Sequence, residues 1–188
     1  MLRTFIAVEI SEEVRSATRA LMERLGRARA DVNWVRPDHL HLTLNFLGDV
    51  EPNATPAICK SAVEIATQFE PITIRCAGVG AFPKIERPRT LWLGVEEGAD
   101  RLIALQAELE VAMADLGFQP EARRFQPHLT IGRVRKGGKS LEQLTEKLVD
   151  QKDFDTGTSL VRELVVYSSV LTKEGPIYTR LSGAHLGG

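Results

Sequence analysis

Cysteine is scarce. Cys59 and Cys76 are the only two among 188 residues, and neither belongs to a CxxC pair or a Cys/His cluster. That spacing excludes a disulfide-built scaffold, reads both as buried free thiols, and favours a reducing compartment. Long apolar runs are missing as well. None reaches the ~18 residues a bilayer span needs, and Met1-Leu2-Arg3-Thr4-Phe5 lacks the apolar centre of an export signal. Excess charge of either sign is also absent: 24 Lys+Arg stand against 25 Asp+Glu, a net charge of −1. So balanced a chain carries no basic coat for gripping long nucleic acid, and any phosphate chemistry must be local. No low-complexity linker divides it. The expectation is one soluble, cytoplasmic, monomeric unit spanning residues 1–188.

What is present is ordinary globular composition, 43% hydrophobic and 26% charged. Thr4 to Ile10 reads as a buried strand, and Ser11 as the N-cap of a helix from about 12 to 29, with Val14, Ala17, Leu21 and Leu25 on one face. A short strand at Asn33-Trp34-Val35 and a stronger one at Leu40 to Leu47 follow, the latter ended by Gly48-Asp49. Thr55-Pro56 opens a second helix. Strand-like runs at Ile72–Val79 and Thr90–Val95 flank a Pro-punctuated basic loop, residues 82–89. Leu102 to Leu116 forms a third helix and His128 to Val134 a strand. Ser140 to Gln143 reads as a capping box opening a fourth helix. A β-rich run, Ser159 to Leu171, and a last strand near Ile177 to Leu181 are joined by a turn at 173–176. Strands alternating irregularly with four helices, several joined by turns too short for parallel crossovers, predict an α+β fold of mainly antiparallel sheet.

One internal echo stands out. His41-Leu42-Thr43-Leu44 recurs as His128-Leu129-Thr130-Ile131, close to half the chain later, and these two histidines are half of the four the protein has. Side chains alternate along a strand, so each copy offers an imidazole and a hydroxyl from one face and apolar anchors from the other. Across a cleft, two such pairs suit in-line displacement at phosphorus. One histidine acts as base on the entering oxygen and the other as acid on the leaving oxygen, while the threonines donate to the non-bridging oxygens. No metal or other cofactor is needed for that scheme. A zinc site from His39, His41 and His128 is the competing reading, and it lacks a nearby cluster of further ligands. A binding module without catalysis is the other alternative; the presence of both complete pairs tells against it.

On these residues the sequence resembles the two-histidine (2H) phosphoesterase superfamily, defined by paired H-x-T-x motifs. It is similar above all to the RNA 2′,3′-cyclic phosphodiesterases, also called 2′-5′ RNA ligases. The likeness runs through Arg3-Thr4-Phe5 at the start, Trp34-Val35, Phe82-Pro83, Pro127 to Arg133, and Gly175-Pro176-Ile177-Tyr178 near the end. The resemblance implies a bilobal, pseudo-two-fold α+β fold with flanking helices and a central cleft. It implies hydrolysis of RNA 2′,3′-cyclic phosphate ends, tRNA halves among them, to 2′-phosphomonoesters, with reversible ATP-independent 2′-5′ ligation as a side activity. Under it His41 is the proton donor and His128 the proton acceptor. Another 2H activity, on 2′-5′ oligonucleotides or small cyclic nucleotides, is the enzymatic alternative.

Phe46 and Arg133 share the +5 offset from the two histidines and are candidate substrate-binding residues, the aromatic by stacking and the arginine near substrate. Strict alternation puts both opposite the histidine face, so reaching the cleft requires a bulge or a strand end, which Gly132 permits. Core packing is the other reading of Phe46. Arg123-Arg124, Arg135-Lys136, Lys84, Arg87 and Arg89 are basic groups able to guide an RNA backbone or simply to be solvated.

Overall fold

The computed structural model describes residues 1–136, 139–173 and 175–187. Among them the chain forms β1 (Leu2–Glu9), α1 (Glu12–Gly26), β2 (Val32–Trp34), β3 (His41–Val50), α2 (Thr55–Ala66), β4 (Ile72–Lys84) and β5 (Arg87–Glu97). There follow α3 (Ala99–Asp115), β6 (His128–Val134), α4 (Lys139–Asp150), β7 (Asp155–Val161), β8 (Glu163–Thr172) and β9 (Gly175–His185). Two sheets result, ordered β3-β1-β8-β9 and β2-β6-β5-β4-β7. Every pairing is antiparallel. The α+β expectation holds.

The two sheets are related by an approximate two-fold exchange. In each, a strand leads into a helix and the chain returns as a His-x-Thr strand beside the strand it left: β1, α1, β3 in the first sheet and β5, α3, β6 in the second. The helices cross over. α1 packs on β7 and α4, on the side of the second sheet, whereas α3 packs on α2 and β3, on the side of the first, while also touching β4 and β5 of the second. Between α1 and β3, the short β2 joins the second sheet as the neighbour of β6.

Local chemistry explains the elements. β1 is paired on both sides, and Thr4 to Val8 are all buried, which is why it reads as a continuous apolar run. The Ser11 hydroxyl accepts the Val14 N–H at the start of α1, with Glu12 and Glu13 in the first turn, where the helix dipole favours acids. That helix stops at Gly26, three residues short of expectation, and Arg29 then adopts a left-handed φ of 54° that turns the chain.

Further boundaries differ from expectation: β3 does not end at Gly48-Asp49 but pairs with β1 through both, to Val50. The basic stretch 82–89 is no loop but the end of a β4–β5 hairpin. Pro83 and Pro88 lie opposite each other at its tip, where a ladder bond is least missed. The β-rich run near 159–171 divides at Arg162 into β7 and β8, which belong to different sheets. α4 already includes Lys139, so Ser140 is inside the helix rather than capping it. The expected turn at 173–176 contains Glu174, which lies outside the described residues.

Candidate active site

β3 and β6 pack against each other where the sheets meet, and they carry the same seven-residue arrangement. In both strands the histidine and threonine are half-exposed. Leu42 and Leu44 in one, Leu129 and Ile131 in the other, are buried on the opposite side. Each fully buried aliphatic side chain of this kind contributes roughly 1.5–3 kcal/mol to holding its strand down.

The ladders slip at the same place. β1 pairs Ala7 with Thr43 and Ile6 with Asn45, leaving Leu44 over. β5 pairs Trp92 with Thr130 and Leu91 with Gly132, leaving Ile131 over. Each motif strand thus has a bulge three residues after its histidine, which reverses the alternation beyond it. Phe46 and Arg133, two residues past the bulge, therefore return to the histidine face. Phe46 is 43% exposed, so core packing is not its role. A cleft of about 800 Å³ is lined by His41, Thr43, Phe46, His128, Thr130 and Arg133 together.

Each imidazole is held in one tautomer by the same device. His41 Nδ1 donates to the carbonyl of His39, and His128 Nδ1 to that of Gln126, both at 2.7 Å. A carbonyl only accepts, so Nδ1 keeps its hydrogen and Nε2 is the nitrogen left able to take up or give a proton. His41 Nε2 lies 3.1 Å from the Thr43 hydroxyl. Aromatic rings fix both imidazoles. Phe5 stacks on His41 at 4.9 Å and Tyr178 meets it edge-on at 5.5 Å; Phe82 meets His128 edge-on at 5.1 Å.

Burial pushes both imidazoles below their ordinary value. Around His41 the His39 carbonyl and the Glu9 carboxylate oppose that fall, while His39 and Arg15 add to it. Around His128 the Gln126 carbonyl opposes it and the Arg133 guanidinium adds to it. Glu9 stands directly across the ladder from His41, whereas the corresponding residue across from His128 is Gly94.

Of the other basic residues, Arg123 and Arg124 line the cleft, and Lys84, Arg87, Arg89, Arg135 and Lys136 do not. His39 also lines it, from a 3₁₀ turn (Pro37–His39) rather than from a strand edge. Among the described residues no three His, Cys, Asp or Glu side chains converge as a metal site would require. Sequence reasoning gave no role to Arg3, whose guanidinium sits 4.8 Å over the Phe46 ring, or to Tyr178. β1 brings in the first and β9 the second, and neither residue carries a local signal.

The model of the LigT-like phosphoesterase family matches this chain twice, over residues 8–92 and 93–178, so that each match takes in one His-x-Thr strand. The chain belongs to that family. Curated LigT-like relatives include a Methanothermobacter thermautotrophicus protein, 36% identical over 95% of both chains, and a Thermotoga maritima protein, 37% identical over 94% of this chain and 91% of its own. Both carry the name RNA 2′,3′-cyclic phosphodiesterase. A solved structure from Thermus thermophilus superposes with a TM-score of 0.85 at 26% identity, covering 99% of this chain and 98% of that one. Among the described residues no helix is long and apolar enough to cross a membrane.

Proposed function

We propose that the protein hydrolyses RNA ends bearing a 2′,3′-cyclic phosphate to 2′-phosphomonoesters, by acid/base catalysis between His41 and His128. The observation that carries this reading is the pair of identically bulged His-x-Thr strands in one cleft, each with its reactive Nε2 defined by a carbonyl on Nδ1. Two relatives named for this activity support it. His128 Nε2 takes a proton from water as the water oxygen attacks phosphorus. The P–O3′ bond breaks, and O3′ takes a proton from His41 Nε2. The Thr43 and Thr130 hydroxyls donate to the non-bridging oxygens, where negative charge concentrates. Atoms balance with one water added and no metal or cofactor.

The roles are distinguished by charge. Of the charged side chains acting on the two rings, only the Glu9 carboxylate favours an imidazolium, and it stands beside His41. The anionic phosphate, once bound, opposes the fall that burial causes at both rings, which favours the protonated form that His41 needs. Arg133 offers its guanidinium to the phosphate and Phe46 its face to a base. With an RNA 5′-hydroxyl in place of water, the same groups form a 2′-5′ linkage between RNA halves, including tRNA halves, without ATP.

The test is incubation with an oligonucleotide ending in 2′,3′-cyclic phosphate under excess chelator. The expected product has gained one water and resists a 3′-specific phosphatase. His41→Ala and His128→Ala are each expected to lower kcat/KM by at least about 10²-fold with an unchanged circular dichroism spectrum. A 3′-phosphate product, loss of activity in chelator, or full activity in either variant overturns the scheme.

A further inference from the structure

We propose that the end of the cleft between α3 and the loop 116–127 is a second nucleotide subsite. It receives the nucleotide on the 5′ side of the cyclic end: Gln106 reads its base edge, and Arg123 and Arg124 hold the linking phosphodiester. This rests on the cyclic-phosphate reading above and extends it from the reacting group to the strand behind it.

Gln106 is the anomaly that points there. It sits in an otherwise apolar stripe of α3 (Leu102, Leu105, Leu109, Met113) and is only 5% exposed, yet it lines the same cleft as the His/Thr pairs. Among the described residues nothing hydrogen-bonds its amide. Its amide atoms are not among the fully buried unpaired ones, so they open to the cleft, where a ligand that both donates and accepts can replace water. A nucleobase edge does both; a phosphate only accepts.

The loop supplies the rest. Glu110, one turn beyond Gln106 on the same face of α3, accepts the backbone N–H of Glu121 at 3.1 Å and so folds the loop back along the helix. From that anchor Arg123 and Arg124 reach the cleft lining. Both are exposed, and among the described residues neither enters an ion pair. The Glu121 carboxylate also lines the rim and repels an anion, which directs the phosphodiester to the arginine side. Immediately afterwards Gln126 gives its carbonyl to His128, so the loop that builds this subsite also holds a catalytic ring. A cleft of about 800 Å³ lies toward the upper end of the roughly 300–1,000 Å³ typical of small-molecule sites, ample for more than a cyclic phosphate and its sugar.

The experiment compares kcat/KM for a dinucleotide ending in 2′,3′-cyclic phosphate with that for the matching mononucleotide 2′,3′-cyclic phosphate. It uses the full-length protein, Gln106→Leu, and the double variant Arg123→Ala/Arg124→Ala. The intact protein is expected to favour the dinucleotide at least tenfold. Gln106→Leu is expected to remove about tenfold of that preference. The double variant is expected to remove it together with part of its salt dependence. Leucine nearly preserves the volume and removes an amide that no protein group binds, so the melting temperature is not expected to fall. Should that variant nevertheless fail to fold, the two arginines, exposed on a loop, decide the outcome. Equal turnover of the two substrates by the intact protein, or a preference kept in the folded variants, overturns the subsite alone. Turnover of neither substrate overturns the cyclic-phosphate reading and this inference with it.

Discussion

At the scale of single residues, the two histidines are chemically alike until their neighbours are considered. Both lie below the ordinary imidazole value because of burial, so the free-enzyme profile of kcat/KM is expected to be a bell centred below about pH 6.5. Glu9 makes the difference between them, and Glu9→Gln tests it. The carboxylate favours protonated His41, so removing its charge lowers that ring further. If His41 is the acid, the basic limb of the bell moves to lower pH while the acidic limb, set by His128, stays. Glutamine still offers an oxygen to the Tyr167 hydroxyl, which donates to Glu9, so the packing there is kept. An unmoved basic limb, or a displaced acidic one, refutes the assignment of roles.

At the scale of elements, the site depends on two bulges that no residue type announces. The His/Thr pairs were legible in the sequence because a period of two survives from His41 to Thr43 and from His128 to Thr130. Phe46 and Arg133 were legible only as a shared offset. The extra residues, Leu44 and Ile131, are ordinary strand formers, and the slip belongs to the pairing with β1 and β5. The hairpin at residues 82–89 was hidden for a related reason: prolines punctuate a loop and a hairpin tip equally well. Tyr178 and Gln106 come to the cleft through tertiary packing alone. Gly132 is where the second bulge can be tested. A Cβ there would lie 2.8 Å from Val32 Cγ1 and 3.0 Å from Trp34 Cε3, both on β2. Gly132→Ala is expected to cost about 1–3 kcal/mol of stability in urea unfolding, and to raise KM more than it lowers kcat by shifting Arg133. Unchanged stability would show that β2 yields freely and that the glycine is not what seats this strand.

At the scale of the molecule, the cleft is a junction between two sheets, so its geometry is only as firm as their attachment. Attachment here is by exchange rather than by simple contact. α1 leaves the first sheet to pack on β7 and α4, β2 completes the edge of the second sheet beside β6, and α3 bridges from β4 and β5 to β3 and α2. Unfolding either sheet would strip the other of a helix and expose leucines that are now fully buried, among them Leu21 and Leu25 of α1 and Leu105 and Leu109 of α3. At roughly 1.5–3 kcal/mol for each such side chain, losing one helix face removes as much free energy as small domains have in total. Neither half is therefore expected to persist alone, although each is matched separately by the family model. Calorimetry of the full chain is expected to show one transition whose calorimetric and van't Hoff enthalpies agree. Two resolved transitions would mean that the halves are independent domains. In that case nothing in the fold would hold His41 and His128 at the fixed separation that in-line displacement demands.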